Sequence, residues 1–229
     1  MNDFDWKQLL NPEFYILLKI GGVSIGIYVV LAIVFAESGL LAGFFLPGDS
    51  LLFLCGIYSE TLMKDFSTGS TIANATLLAT FIAGMGILGN MFGYWFGGKS
   101  GNYLYKKEDN FLFKKSYLTQ AYDFFEKHGS RAIVFARFLP IIRTFAPVIA
   151  GMANMDKKRF MFYSILGAFV WSFILVFAGH FLHSFFLNKF QIDLKNYIEY
   201  IVIGIVGFTT LPVILKLVTG KKKWYLQLE

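Results

Sequence analysis

Long apolar windows alternate with short polar connections along the whole chain. Four of them are long enough for an α-helix, rising about 1.5 Å per residue, to cross roughly 30 Å of bilayer hydrocarbon. These windows are residues 14–36, 71–97, 160–182 and 197–218. The pattern predicts an all-α polytopic membrane protein with about four transmembrane helices, in which residues 1–229 form a single membrane domain.

Two further apolar windows are interrupted in a way that a spanning helix does not tolerate. The window 37–58 contains Pro47-Gly48-Asp49, and the window 131–152 contains two prolines and three arginines. Each proline removes a backbone donor and its ring clashes with the preceding turn. Both windows therefore predict re-entrant helical hairpins, each made of two half-helices around a break.

Basic residues are concentrated in three connections, which the positive-inside rule assigns to the cytoplasm. The chain carries clusters of lysine and arginine between residues 98 and 131, at 157–159 and at 221–223. This distribution places both termini in the cytoplasm and makes the two hairpins enter from opposite faces, as in inverted-repeat transporters. Residues 98–130 mix aromatic residues with lysines, which favours an amphipathic helix on the cytoplasmic surface over a solvated linker.

Composition supports this interpretation and removes several others. The chain is 56% hydrophobic, against about 45–50% for a soluble domain. Its net charge of +6 is explained by topology, so no nucleic-acid partner is expected. Cys55 is the single cysteine, which excludes an internal disulfide and favours a packing role. The opening segment lacks the features of a cleaved signal peptide.

Four charged residues lie in or beside the interrupted windows, namely Glu37, Asp49, Arg137 and Arg143. A charge near the bilayer centre costs roughly 2.5–3.5 kcal/mol on insertion scales, so these residues must pair, bind a ligand or line a wet cavity. Two acids from the first hairpin facing two arginines from the second would meet this requirement. A purely structural ion pair is the alternative, although desolvation makes such pairs weak contributors to stability.

Arginine in this setting favours a phosphate ligand, because its planar fork donates two parallel hydrogen bonds and keeps its charge at physiological pH. Half-helices that begin near Gly48 and Pro140 would add backbone donors and a positive dipole end. Glu37 and Asp49 could then gate the site or exchange protons, since burial and neighbouring charge act on carboxylates in opposite directions. Proton coupling is a further hypothesis.

Several local motifs carry no function in this context. Residues 84–89 match GxGxxG and residues 22–26 match a nucleophile elbow, but both lie in apolar helical windows without a preceding strand. His180 and His183 lack a carboxylate partner nearby in sequence and are interpreted as interfacial residues, so neither a metal nor a cofactor is expected. No enzymatic activity is expected. A glycine stripe predicts close helix packing; its members are Gly89, Gly93, Gly97 and Gly101.

A set of motifs between residues 35 and 180 resembles the DedA family of bacterial membrane proteins, also described as VTT or SNARE-associated domain proteins. The motifs are Glu37 with Leu46-Pro47-Gly48-Asp49, Gly89-Asn90, Gly93-Tyr94, Arg137-Phe138-Leu139-Pro140-Ile141-Ile142-Arg143-Thr144, Pro147, Ala150-Gly151-Met152, Phe160, Gly167, Trp171 and Gly179. Where the family usually has an aspartate this chain has Asn90, and the family's Gly-Arg appears shifted to Gly98-Lys99. Whether Asn90 and Lys99 replace functional family residues stays open.

The resemblance implies a translocase of a phosphate-bearing lipid in the bacterial inner membrane, with undecaprenyl phosphate carrier recycling as the first candidate and dependence on the proton-motive force as an extension. It implies substrate binding by Arg137, Arg143, Thr144, Gly48 and Pro140, and gating or proton coupling by Glu37 and Asp49. Two alternatives stay open: a proton-coupled transporter of a small solute or drug, and a non-transporting homeostasis protein that acts through partners. The lipid, the direction of transport and formation of a homodimer are undetermined.

Overall fold

The computed structural model describes residues 12–20, 23–40, 48–66, 68–106, 129, 133–134, 137, 140–205 and 207. Within these ranges the regular structure is helical apart from one short antiparallel strand pair.

The apolar window 14–36 predicts one continuous span, and that prediction is wrong. The structure divides it into α1 (Pro12–Ile16) and α2 (Gly26–Gly39), separated by the strands β1 (Lys19–Ile20) and β2 (Val23–Ser24). The 14 residues of α2 extend about 21 Å, which is shorter than the hydrocarbon core of a bilayer. This helix is therefore too short to cross the bilayer by itself.

The window breaks because the chain folds back at the paired strands. Lys19 pairs with Ser24 and Ile20 with Val23 in an antiparallel register. The chain then returns α1 onto the start of α2, so closely that a Cβ on Gly26 would collide with the Ile16 carbonyl.

The first interrupted window has the expected break. Glu37 lies in the last turn of α2, and the helix α3 (Gly48–Ile57) begins at the glycine of the Pro-Gly-Asp sequence. Residues 41–47 lie outside the described residues. A short helix α4 (Ser59–Leu62) and a 3-10 turn at Lys64–Phe66 follow. The entry side of this hairpin stays a prediction.

Two long helices carry the membrane-spanning character of the described chain. Helix α5 (Thr71–Lys106) contains a 30-residue apolar stretch, Thr71–Ser100, and helix α7 (Lys157–Phe190) is apolar over 34 residues. Both are long enough to cross a membrane, as the windows 71–97 and 160–182 predict. The polar segment 98–130 begins as a continuation of α5, and its residues 107–128 lie outside the described part.

The fourth predicted span, 197–218, is described over its first half. A 3-10 helix at Leu194–Tyr197 leads into helical residues 198–205. Residues 208–218 lie outside the described part.

The second interrupted window yields one well-defined half-helix, α6 (Pro140–Met152). Proline is favoured as the first residue of a helix because its missing N–H needs no partner there. Pro147 lies inside α6, where its ring faces Gly93 of α5. Most residues between 131 and 139 lie outside the described part, so the first arm of this hairpin stays a prediction.

The half-helices pack on the two long helices in a reciprocal manner. Helix α3 lies against α7, whereas α2 and α6 lie against α5, and the two long helices also contact each other. Glycines allow these close approaches. A Cβ on Gly39 would lie 2.6 Å from the Gly89 carbonyl oxygen, and a Cβ on Gly97 or Gly151 would strike the backbone of the facing helix. The predicted packing role of the glycine stripe is thus confirmed at Gly89, Gly93 and Gly97; the side-chain position of Gly101 lies outside the described part.

Candidate functional site

Arg143 lies between the two acidic residues of the first hairpin. Its Nη1 donates to Asp49 Oδ1 at 2.6 Å, and its Nη2 pairs with Glu37 Oε1. The three side chains belong to α6, α3 and α2 respectively, and their exposed fractions are 5% for Arg143, 18% for Asp49 and 1% for Glu37. The structure therefore brings α2, α3 and α6 together through opposite charges, as the insertion cost predicts.

Glycine at the start of α3 makes room for this ion pair. A Cβ on Gly48 would collide with the carboxylate of Glu37, so the carboxylate lies directly against the first turn of the helix. The amino end of a helix carries a partial positive charge, which favours a buried anion there. Gly48 thus contributes through its lack of a side chain and through the position of its backbone.

Arg137 has surroundings of a different kind. Its guanidinium is 97% buried, with an exposed fraction of 3%, and its Nη2 donates to the Gly86 carbonyl of α5 at 3.3 Å. No carboxylate pairs with it among the described residues, and its Nε and Nη1 have no hydrogen-bond partner there. Two carboxylates therefore pair with Arg143, while Arg137 forms no ion pair among the described residues.

Trp171 of α7 lies between the two arginines, a role that the sequence analysis missed. Its ring centroid lies 4.9 Å from the Arg143 guanidinium carbon and 5.4 Å from that of Arg137. Its Nε1 donates to Asp49 Oδ1 at 2.9 Å. A tryptophan face attracts cations, and its N–H satisfies a carboxylate. The residue appeared in the sequence as one more aromatic residue in an apolar span.

Asn90, Ser38 and Ser164 form a neutral polar group beside Arg137. The orientation of the Asn90 amide is assigned from its hydrogen-bond partners, because the opposite orientation would direct donors at donors. Oδ1 then accepts from Arg137 Nη2 at 2.8 Å and from Ser164 Oγ at 2.7 Å, while Nδ2 donates to the Ser38 carbonyl at 3.2 Å. This group joins α2, α5 and α7, and only the departure at Asn90 pointed to it in the sequence.

The remaining predicted site residues lie at various distances from the ion pair. Thr144 is buried beside Arg143 in α6, and Pro140 is the first residue of that helix. Lys99 lies on an exposed part of α5 with its Nζ 4.5 Å from the Trp95 ring centroid, so it belongs to a different surface.

The two histidines lie near the carboxyl end of α7, apart from the ion pair. His180 Nδ1 is 3.2 Å from Ser59 Oγ, and His183 Nδ1 is 3.8 Å from Asp193 Oδ1. His183 thus has a carboxylate neighbour that sequence spacing did not indicate. Cys55 is buried in α3 as a free thiol, in agreement with a packing role.

Comparison with known proteins identifies the family. The VTT domain model matches residues 46–181, a range that includes Asp49, both arginines and Trp171. The chain belongs to the DedA family of membrane proteins. Protein DedA of Escherichia coli K12 is 31% identical over 215 residues, which cover 93% of this chain and 92% of the relative. No solved structure matches.

Other relatives of this DedA-family protein are also named as membrane proteins. An uncharacterized membrane protein of Mycobacterium tuberculosis H37Rv is 40% identical over 185 residues, covering 80% of this chain and 74% of the relative. Inner membrane protein YqjA of Escherichia coli K12 is 32% identical over 181 residues, covering 78% and 73% respectively. The prediction of a helical membrane protein is confirmed at this level.

Proposed function

We propose that this DedA-family protein translocates a phosphate-bearing lipid across the bacterial inner membrane. Its relative YqjA is named as an inner membrane protein. The observation that carries the proposal is the buried guanidinium of Arg137, which has no carboxylate partner among the described residues. A buried charge without a partner is costly. Binding an anion would remove that cost.

Phosphate fits this arrangement better than other anions in a bilayer. Arg137 has two nitrogens, Nε and Nη1, without a hydrogen-bond partner among the described residues, and a guanidinium that keeps its charge donates strong hydrogen bonds to phosphate oxygens. The lipid tail would stay in apolar surroundings beside the exposed aromatic residues of α7. Among these residues are Phe162, Phe169, Phe181 and Phe185. Undecaprenyl phosphate, which the family resemblance suggests, is the first lipid to test.

In this proposal the ion pair of Arg143 with the two carboxylates acts as the gate. Arg143 holds Glu37 and Asp49 from the other hairpin, so the two hairpins remain joined while that ion pair persists. An arriving phosphate competes with the carboxylates for Arg143, and protonation of a carboxylate weakens the same contact. Coupling to a proton gradient follows if a carboxylate is protonated on one side and released on the other. No covalent step is involved.

The test is translocation of undecaprenyl phosphate in proteoliposomes, measured as the fraction of lipid phosphate cleaved by an impermeant phosphatase added outside. Wild-type protein is expected to expose inner-leaflet lipid to the phosphatase, with a rate that changes when a pH gradient is imposed. Arg137→Met and Asp49→Asn are expected to slow this exposure at least about ten-fold, the effect of a charge-assisted contact of roughly 1.4 kcal/mol or more.

Arg159→Met is the matched control, because Arg159 is exposed at the start of α7 and its loss should leave the rate unchanged. Wild-type liposomes in which inner-leaflet lipid stays protected would contradict the proposal and favour a non-transporting role. If Arg137→Met abolished lipid exposure but spared a proton-coupled solute flux, the small-solute alternative would fail; the reverse result would support it.

A further inference from the structure

Asn90 occupies a position where a charged acceptor would serve Arg137 equally well as a hydrogen-bond partner. Its Oδ1 accepts from Arg137 Nη2 at 2.8 Å, a distance typical of a charge-assisted hydrogen bond. An aspartate has nearly the same shape and would form an ion pair at this place. The chain instead has an amide, which orients the guanidinium without neutralising it.

The surroundings of Asn90 keep the amide in this one orientation. Ser164 Oγ donates to the same Oδ1, and the Ser38 carbonyl accepts from Nδ2. The Ser38 carbonyl accepts the amide N–H at 3.2 Å, a hydrogen bond that a carboxylate at this position could not donate. Asn90 is 3% exposed, which excludes bulk water as a competitor for these contacts.

Gly86 completes the group, one helical turn before Asn90 on α5. A Cβ there would lie 3.3 Å from Arg137 Nη1 and 3.7 Å from Ser38 Oγ. The guanidinium thus lies flat against a bare part of the helix. Ser38 Oγ has no hydrogen-bond partner among the described residues, and it lies on the same side as the unpartnered Nη1. One cationic donor and one hydroxyl are therefore available to a single ligand.

We propose that Asn90 is a positioning residue that sets the ligand specificity of the site: its neutral amide orients Arg137 while leaving the positive charge for an anionic ligand. Ser164 fixes the amide, and the Ser38 hydroxyl supplies an additional donor to the ligand. This inference rests on the proposed function and specifies how its ligand is selected. The ligand class is a phosphate monoester of a lipid, since Nη1 of Arg137 and the Ser38 hydroxyl can each donate to one of its several oxygens.

The proposal predicts an unusual order of effects for two variants of one residue. Asn90→Asp keeps the acceptors for Arg137 and Ser164 but adds a counter-charge, so phosphate affinity should fall about ten-fold or more. Asn90→Ala removes all three hydrogen bonds without adding a charge, so affinity should fall by a smaller factor, about three-fold. Stability should follow the reverse order, with the alanine variant unfolding at the lower temperature. A merely structural role would make binding and stability follow the same order.

The measurement is equilibrium binding of farnesyl phosphate, a short polyprenyl phosphate, to the purified full-length protein in detergent, with thermal unfolding recorded on the same samples. Asn74→Asp is the matched control. Asn74 lies near the start of α5, where its Oδ1 accepts from Thr68, and the same change of amide to acid there should leave phosphate affinity unaltered. Ser38→Ala should weaken binding without altering the unfolding temperature by a comparable amount.

Three outcomes distinguish the role of Asn90 from the proposed function. Binding losses in which Asn90→Asp exceeds Asn90→Ala, with the opposite order in unfolding temperature, support the inference. If wild-type protein binds the phosphate and Asn90→Asp binds it equally well, the inference fails while the proposed function stands. If wild-type protein neither binds farnesyl phosphate nor translocates undecaprenyl phosphate, both fail.

Discussion

Arg137 and Arg143 are six positions apart in sequence, yet their surroundings differ in charge. Arg143 contacts two carboxylates that come from two other helices, whereas Arg137 contacts the Gly86 carbonyl and the Asn90 amide. Trp171 lies beside both. Arg137 and Arg143 are thus equally buried, but their contacts give them different roles. Arg143 joins α6 to α2 and α3, and in the proposed function Arg137 binds the anionic ligand.

The difference between the two arginines is tested most directly by replacing each of them with methionine, which has a similar length but no charge. Arg143→Met leaves Glu37 and Asp49 buried without their partner. Removing one member of a buried ion pair typically costs about 3–5 kcal/mol, because the remaining charge stays desolvated. The free energy of unfolding in mixed micelles, obtained from denaturant titration, should fall by that amount. A loss below about 1 kcal/mol, the level of an exposed pair, would show that the contact is not structural.

A second, smaller effect is expected from the glycines that lie against the two sites. Gly48→Ala places a Cβ into the Glu37 carboxylate, which forces the acid away from Arg143. Overpacking of this kind typically costs about 1–3 kcal/mol. Gly86→Ala is the matched comparison, because its Cβ would approach Arg137 Nη1 only to 3.3 Å. Unfolding measurements should rank Gly48→Ala clearly below Gly86→Ala, and equal losses would argue against a rigid carboxylate position.

The smallest stability effect is expected for Arg137→Met. This substitution removes a buried charge that forms no ion pair among the described residues, so lost hydrogen bonds are offset by relief of desolvation. The net change in the free energy of unfolding should lie within about 1 kcal/mol of zero. Phosphate-lipid translocation should nevertheless be lost. A destabilisation as large as that of Arg143→Met would mean that an acidic partner of Arg137 exists, and the proposed division between the arginines would fail.

The sequence indicated the charged residues of the site because their isolation in lipid would be too costly. On this ground the sequence predicts that Glu37 and Asp49 face both Arg137 and Arg143. The ion pair forms with Arg143 alone, and Arg137 lies beside it at Trp171. The breaks near Gly48 and Pro140 were also predictable, since proline and glycine mark helix starts. These features depend on local chemistry that a single chain displays.

Other features depend on contacts that no local pattern displays. Asn90, Ser164 and Trp171 are uncharged residues within apolar helices, so their position carries no insertion cost that would single them out. The unequal pairing of the two arginines depends on how α6 and the residues before it approach α5. The division of the window 14–36 was missed because its hydrophobicity resembles a span, while its Gly-Gly pair allows a tight turn.

The reciprocal seating of the half-helices has a consequence for how the chain is assembled. Helix α3 ends at Ile57, but α7, on which it packs, begins at Lys157. During synthesis α3 is therefore made one hundred residues before the helix on which it packs, whereas α5 is already present when α6 is made. Neither half of the polypeptide contains every helix that its own half-helices contact. A chain severed between α5 and α6 would therefore recover its native form only through reunion of the two fragments.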